Sequence, residues 1–278
     1  MTTVICIVLA LIILVELWFL ALQCRKNHPA LKTLSAFRYA HRGLHDKPTI
    51  PENSMAAFRR ALDNFYGAEL DVHLMADGNL AVIHDSSLLR TAGVDVAIED
   101  LTVEDLKRYR LEGTNEHIPL LGEVLSLYEG RAPLIVELKA EGGNHAALTA
   151  AAVAELDKYK VLYCIESFDP RCLLWLRQNR DEIVRGQLSE QFLRHGDNGG
   201  HGRATLWMVA NLLTNFLARP DFIAYRFSDR SNLAVKLCRK LYQVKEFSWT
   251  ITSPQEMKAA EAAGCGVIFE QFDPYSAK

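Results

Sequence analysis

Nothing in this sequence pairs its cysteines. The six of them (Cys6, Cys24, Cys164, Cys172, Cys238 and Cys265) form no CxxC and keep no regular spacing, which argues against a disulfide framework and against a zinc site. Such thiols fit a domain facing a reducing compartment. An excess of positive charge is missing as well: 31 Lys and Arg stand against 34 Asp and Glu, a formal net charge of −3. Without a broad basic surface, nucleic acid is not an expected partner. At 278 residues, 49% hydrophobic and 23% charged, the chain can bury a sizeable core, and disorder is not expected.

Charge is nearly absent from the first stretch. From Val4 to Leu22 the 19 residues are apolar except for Glu16, and at roughly 1.5 Å per residue they match a hydrocarbon core of roughly 30 Å. No Lys or Arg precedes the run, and Leu22-Gln23-Cys24 is a poor lipobox. Residues 1–24 therefore read as an uncleaved single-pass membrane anchor and not as a cleaved signal peptide. Arg25, Lys26 and Lys32 follow it, so the positive-inside bias places the remainder in the cytoplasm. Glu16 reaches toward the interface or meets a partner helix.

Beyond a linker at 25–35, apolar β-type runs alternate with helical patterns. They predict eight parallel strands near Phe37–Ala40, Ala68–Val72, Pro133–Leu138, Val161–Glu166, Ile183–Gln187, Phe222–Arg226, Glu246–Thr250 and Gly266–Phe269. Eight such strands close as an α/β (β/α)8 barrel over 36–278. Asp169-Pro170 and Ser253-Pro254 read as helix starts, the second with Glu256 as a capping box. The stretch of about residues 86–117 is too long for an ordinary connection and reads as an insertion over the barrel mouth, with a short helix at Asp100–Arg110. Gly196–Gly202 reads as a loop after strand five, and Thr205–Leu217 as a helix apolar beyond one face, suited to barrel packing or to contact with a bilayer or another subunit.

Polar groups gather where the early strands end, the side on which barrels of this kind carry their chemistry: His41-Arg42-Gly43, Glu69-Leu70-Asp71, His84-Asp85 and Glu137-Leu138-Lys139. Each alone is ordinary; four together are not. Strand alternation sets Glu69 and Asp71 on one face, and Glu137 and Lys139 on one face of another strand. Three converging carboxylates repel unless a hard cation lies between them, and oxygen ligands suit Mg2+ or Ca2+. Asp77-Gly78 reads as a two-residue hairpin turn, which would pair residue 71 with residue 84 and put His84 beside the carboxylates. A slip of one residue would turn it away. His73 shares that face by parity, as a supporting residue or a cover for the hairpin; His45, His117, His145, His195 and His201 read as exposed loop residues. A phosphodiester needs this equipment: cations to neutralise its oxygens, and two histidines, one to take a proton and one to give it.

The motifs His41-Arg42-Gly43, Glu52-Asn53-Ser54, Glu69-Leu70-Asp71-Val72, Asp77-Gly78, His84-Asp85 with Arg90-Thr91, Glu137-Leu138-Lys139 and Trp249-Thr250 resemble, in order and spacing, the glycerophosphodiester phosphodiesterase family. The resemblance implies hydrolysis of glycerophosphodiesters to sn-glycerol 3-phosphate and an alcohol, with the insertion as the family's small cap. It implies His41 and His84 as the acid/base pair, Glu69, Asp71 and Glu137 as ligands of one divalent cation, and Arg42 and Lys139 as phosphate contacts. Glu52 and Asn53 are implied as supports and Trp249 as a pocket wall. Ser54 stands where Thr is commoner, and Val267-Ile268-Phe269-Glu270 where Ile-Ile-Thr-Asp is usual, which bears on the leaving-alcohol pocket. The expected partners are a glycerophosphodiester or lysophospholipid substrate and, through the N-terminal helix, the membrane. The rival readings are a phospholipase D-like barrel that cyclises its product, and a silent barrel that binds glycerophosphoryl groups.

Overall fold

The computed structural model describes residues 1–196 and 202–275. Eight parallel strands close a barrel: β1 (Arg38–Ala40), β2 (Gly67–Leu74), β4 (Leu134–Leu138), β5 (Tyr163–Ser167), β6 (Arg185–Ser189), β7 (Phe222–Arg226), β8 (Lys245–Ile251) and β9 (Gly266–Phe269), with β1 paired to both β2 and β9. A ninth strand, β3 (Leu80–Val82), runs antiparallel to β2. The (β/α)8 architecture read from the alternation is the one observed. Its interior is filled by Tyr39, Ile135, Cys164, Phe222, Phe247 and Ile268, all nearly inaccessible to solvent, so the barrel is a packed core whose chemistry must sit at one end.

Two helix starts carry the expected caps. Asp169 Oδ1 accepts from Arg171 N at 2.8 Å ahead of Pro170–Asn179, and Ser253 Oγ accepts from Glu256 N at 3.3 Å ahead of Pro254–Ala262. The reciprocal arm of the expected capping box is displaced by one residue, since Glu256 Oε2 accepts from Thr252 N at 2.9 Å.

The hairpin register departs from expectation. The ladder pairs Val72 with Val82, His73 with Ala81 and Leu74 with Leu80, so Asp71 stands opposite Ile83, whose N–H it accepts at 3.1 Å. The turn holds three residues, Ala76-Asp77-Gly78, closed by Met75 N–H to Asn79 O at 2.9 Å, with Gly78 at φ +83°. A left-handed glycine ending a three-residue loop is the alternative to the two-residue turn that Asp-Gly otherwise signals. His84 nevertheless stays at the site, because the chain has left the ladder by then and His73 Nε2 bonds the His84 carbonyl at 3.1 Å.

The insertion builds a small core of its own. Leu88, Ile98, Leu101, Leu106, Leu111 and Ile118 pack on Met75, Ala81 and Ile83 of the hairpin. The helix expected at Asp100–Arg110 is confined to Val103–Leu106, after a 3-10 turn at Ile98–Asp100. The helix expected at Thr205–Leu217 is two, Arg203–Ala210 and Asn215–Ala218, split where Leu212 takes φ +57°. Most of the Gly196–Gly202 loop, with His201, lies outside the described residues.

At the N-terminus, Thr2–Ala21 is one continuous helix with no buried residue, long and apolar enough to cross a membrane. The chain that follows is fastened to the barrel. Leu22 is fully buried, Arg25 Nε and Nη2 each donate to the Asp221 carboxylate at 2.6 Å, and Arg25 N–H bonds Pro220 O at 3.0 Å. Leu34 then packs against Tyr39, whose hydroxyl donates to the Leu34 carbonyl at 2.7 Å.

Candidate active site

The expected residues converge on one cavity of about 770 Å³ at the C-terminal ends of the strands, lined among others by His41, Glu69, His84, Glu137, Lys139 and Trp249. Strand pairing sets Asp71 beside Glu137. Glu69, Asp71 and Glu137 each present one oxygen to a common point, all within 4.8 Å of one another, and all three side chains are buried. Glu69 Oε1 has no hydrogen-bond partner among the described residues. Lys139 Nζ lies 3.0 Å from Asp71 Oδ1 and 2.6 Å from Glu137 Oε1.

Electrostatics divide these groups. Burial, with Asp71 and Glu137 as charged neighbours, holds the Glu69 carboxyl well above the carboxylate range. Burial acts the same way on Asp71, but Lys139, His84 and Arg42 outweigh it and hold that carboxyl well below its ordinary value. Lys139 is pushed up, because Asp71 and Glu137 overcome the desolvation that would lower it. Glu137 is raised too, since burial and the Asp71 charge outweigh Lys139, so the cluster is short of positive charge at Glu69 and Glu137.

Arg42 enters from the turn after β1 at φ +55°, followed by Gly43 at φ +77°. A Cβ on Gly43 would fall 2.8 Å from the Ala57 backbone, so only glycine fits. The turn aims the Arg42 N–H at Glu69 Oε2 (3.0 Å) and its guanidinium at Glu52 Oε1 (2.9 Å) and Asp71 Oδ2 (3.4 Å). Glu52 also holds Arg90 of the insertion through two bonds of 2.7 and 2.9 Å, and Lys47 at 3.1 Å. Asn53 donates to Asp71 Oδ2 at 2.8 Å, while Ser54 caps the helix Met55–Asp63.

Both histidines are held by the same nitrogen. His41 Nδ1 bonds Glu270 Oε2 at 2.7 Å, which leaves Nε2 3.9 Å from Glu69; His84 Nδ1 bonds Asp85 Oδ1 at 2.6 Å. Burial and the Arg42 charge push the His41 imidazole down to about 4 against the pull of Glu270, and the Glu270 carboxylate, which can only accept, favours the tautomer with its proton on Nδ1. Asp85 is held below the carboxylate range by His84 and by Arg90.

Several residues here escaped the sequence reading. Glu270 directly follows β9, at the position where the sequence departs from the common motif. His45, read as exposed, is 10% exposed and faces Glu270 at 3.7 Å. Glu166 on β5, beside Glu137 in register, is 1% exposed with Oε2 unpartnered among the described residues; its alternation with Cys164 and its neighbour Glu137 were the available signal. Phe168 packs edge-on against Trp249 with ring centres 5.7 Å apart and lies 5.9 Å from Lys139 Nζ. His73, expected either as a supporting residue or as a cover for the hairpin, ties the hairpin to the insertion, with Nδ1 bonding Glu99 Oε1 at 2.6 Å. His195 is exposed, as expected, and bonds Asp229 at 2.9 Å.

The sequence pattern of the glycerophosphoryl diester phosphodiesterase family matches residues 41–272. The chain belongs to that family. A glycerophosphodiester phosphodiesterase of Caldanaerobacter subterraneus subsp. tengcongensis is 28% identical over 240 residues, 82% of this chain and 91% of that protein. Among solved structures, a phosphodiesterase from Oleispira antarctica in complex with the product sn-glycerol-3-phosphate superposes with a TM-score of 0.68 at 23% identity, over 88% of this chain and 95% of the other. The glycerophosphodiester phosphodiesterase of Thermotoga maritima gives 0.63 at 25% identity, over 84% and 93%. Membership agrees with the site: the family match begins at His41, the first residue of the cavity, and takes in Glu270 near its end.

Proposed function

We propose that this member of the family hydrolyses glycerophosphodiesters to sn-glycerol 3-phosphate and an alcohol, with Glu69, Asp71 and Glu137 holding one divalent cation. The observation that carries the reading is the convergence of three buried carboxylates, of which Lys139 pairs with Asp71 and Glu137 and not with Glu69. A donor set made only of carboxylate oxygens fits Mg2+ or Ca2+, and the unpartnered Glu69 Oε1 is the oxygen such a cation would satisfy. When bound, the cation supplies charge to the phosphoryl oxygens.

The chain's own residues do the rest. Lys139 and Arg42 bring fixed positive charge to the phosphate. Glu270 and Asp85 hold the Nδ1 proton of His41 and His84, so each ring presents Nε2 to the cavity, one to take a proton from the attacking water and one to give a proton to the leaving oxygen. Glu52 and Asn53 fix Arg42 and Asp71, and Trp249 with Phe168 forms an apolar wall suited to a glycerophosphodiester or lysophospholipid. Phosphorus NMR of the full-length protein with glycerophosphocholine and with a lysophospholipid, in Mg2+, Ca2+ or chelator, tests this. Glycerol 3-phosphate or its acylated form should appear only with cation; a cyclic phosphate as sole product would assign the chain to the cyclising reaction.

We also place the chain in a membrane as a single-pass protein: anchor 1–24, linker 25–35, catalytic domain 36–278 with its insertion at about 86–117, the catalytic domain cytoplasmic. What supports an uncleaved anchor is that cleavage near residue 24 would strip the buried Leu22 from its place against Cys238. A tag at the C-terminus should be protected from external protease in intact cells; digestion without permeabilisation would reverse the sidedness.

A further inference from the structure

Large apolar side chains are unevenly exposed on the barrel. Outside the N-terminal helix and Met1, eleven are exposed among the described residues, and six of them fall on one stretch: Leu193, Trp207, Met208, Phe216, Leu233 and Leu241. Trp207 is 54% exposed and Phe216 46%. The structure brings their segments together. Phe192–His195 packs on Arg203–Ala210, and Asn232 Nδ2 bonds Ala210 O and Asn211 Oδ1 at 3.3 and 3.4 Å, which sets Leu233 at the end of the Trp207 helix.

The same surface meets the apolar helix Thr2–Ala21. Asn215–Ala218 packs against that helix, Trp18, Leu213, Leu237 and Tyr242 all pack against the buried cluster that holds Leu22 and Cys238, and the Tyr242 hydroxyl donates to Phe19 O at 2.7 Å. Trp18 and Phe19 belong to the last turns of the span, where amphipathic aromatics sit at a membrane–water boundary. Tyr242, which bonds Phe19, lies at that depth.

Charge points the same way. The segment 202–244 holds seven Lys and Arg against two Asp and Glu, in a chain whose net charge is −3. Arg226, Arg230 and Arg239 are engaged by Glu190 and Glu246. Arg203, Arg219, Lys236 and Lys240 are exposed and form no ion pair with any described residue. Exposed aromatics among unneutralised cations beside an apolar helix form a surface for anionic lipid.

We propose that the outer face of 203–242, around the exit of the apolar helix, rests on an anionic bilayer surface and so fixes the orientation of the barrel to the membrane. The inference rests on the reading of Thr2–Ala21 as a bilayer anchor. The test is tryptophan quenching by brominated phosphatidylcholine in nanodiscs of the full-length protein containing about 30% phosphatidylglycerol. The emission lost in Trp207→Phe and that lost in Trp18→Phe should both be quenched. Replacing Lys236 and Lys240 together by Glu, or omitting phosphatidylglycerol, should reduce the Trp207 quenching several-fold and leave that of Trp18 unchanged. Quenching of Trp18 without Trp207 would overturn the docking face and leave the anchor standing. If neither is quenched, the anchor reading fails and the inference with it; Trp207 quenching indifferent to both charge changes would overturn the role of anionic lipid.

Discussion

Glu270 accepts a 2.7 Å hydrogen bond from His41 Nδ1, and the other nitrogen of that ring is the one turned toward Glu69. One carboxylate at the end of the last strand thereby decides which face of a histidine on the first strand the substrate meets. Burial works to raise the Glu270 carboxyl, but its bonds to His41 and His45 hold it below its ordinary range, so it is an anion fit to accept that proton.

Glu270→Gln keeps the shape and removes the charge, and kcat should fall by about 10- to 100-fold with KM for glycerophosphocholine little changed. Glu270→Asp should retain more activity than the amide. Equal loss in both variants would mean that fit, and not charge, is what the position supplies.

The strained electrostatics of Glu69 predict a pH-dependent response to cation. Its carboxyl is raised in the folded protein, so its contribution to stability is present below the unfolded carboxylate range and is lost as pH rises through the folded value. Relative to a Glu69→Gln variant, which keeps the opposing contribution of His41, the metal-free protein should therefore lose stability on going from about pH 5 to about pH 8, and Mg2+ or Ca2+ should raise its Tm more at the higher pH. Thermal melts with and without cation across this range check it, and a cation effect that shrinks as pH rises would contradict the site.

The Arg25–Asp221 pair makes the chain after the apolar helix part of the barrel's stability. Asp221 is buried and also accepts the Arg185 N–H at 3.0 Å. Asp221→Ala leaves three N–H donors of two arginines without their acceptor and should cost about 3 kcal/mol in chemical denaturation of the full-length protein. A change within about 0.5 kcal/mol would show that 25–35 is tethered loosely.

Much of this was legible in the sequence, and the failures have physical causes. The eight strands stand out because alternating runs of β-branched and apolar residues end in turn chemistry, and Glu69, Asp71, Glu137 and Lys139 meet because alternation along a strand is rigid. The hairpin register was not legible: Asp77-Gly78 fits a two-residue or a three-residue loop, and only the packing of His73 under the insertion distinguishes them. Glu270 could not be seen as the partner of His41, since 229 positions separate them and barrel closure alone joins β9 to β1. Arg25 was read as a topology signal from its charge; its pairing with Asp221 is a tertiary fact without a local pattern.

The central claim, that His41 and His84 carry the two proton transfers, is tested most directly by turnover of two substrates by each alanine variant. On glycerophosphocholine, His41→Ala and His84→Ala should each lose on the order of 10²–10⁴ in kcat, with cation affinity retained. On a p-nitrophenyl phosphodiester, whose leaving group departs without a proton, the variant lacking the general acid should recover most of the wild-type rate and the other should not. Near wild-type turnover of glycerophosphocholine by either variant would contradict the account.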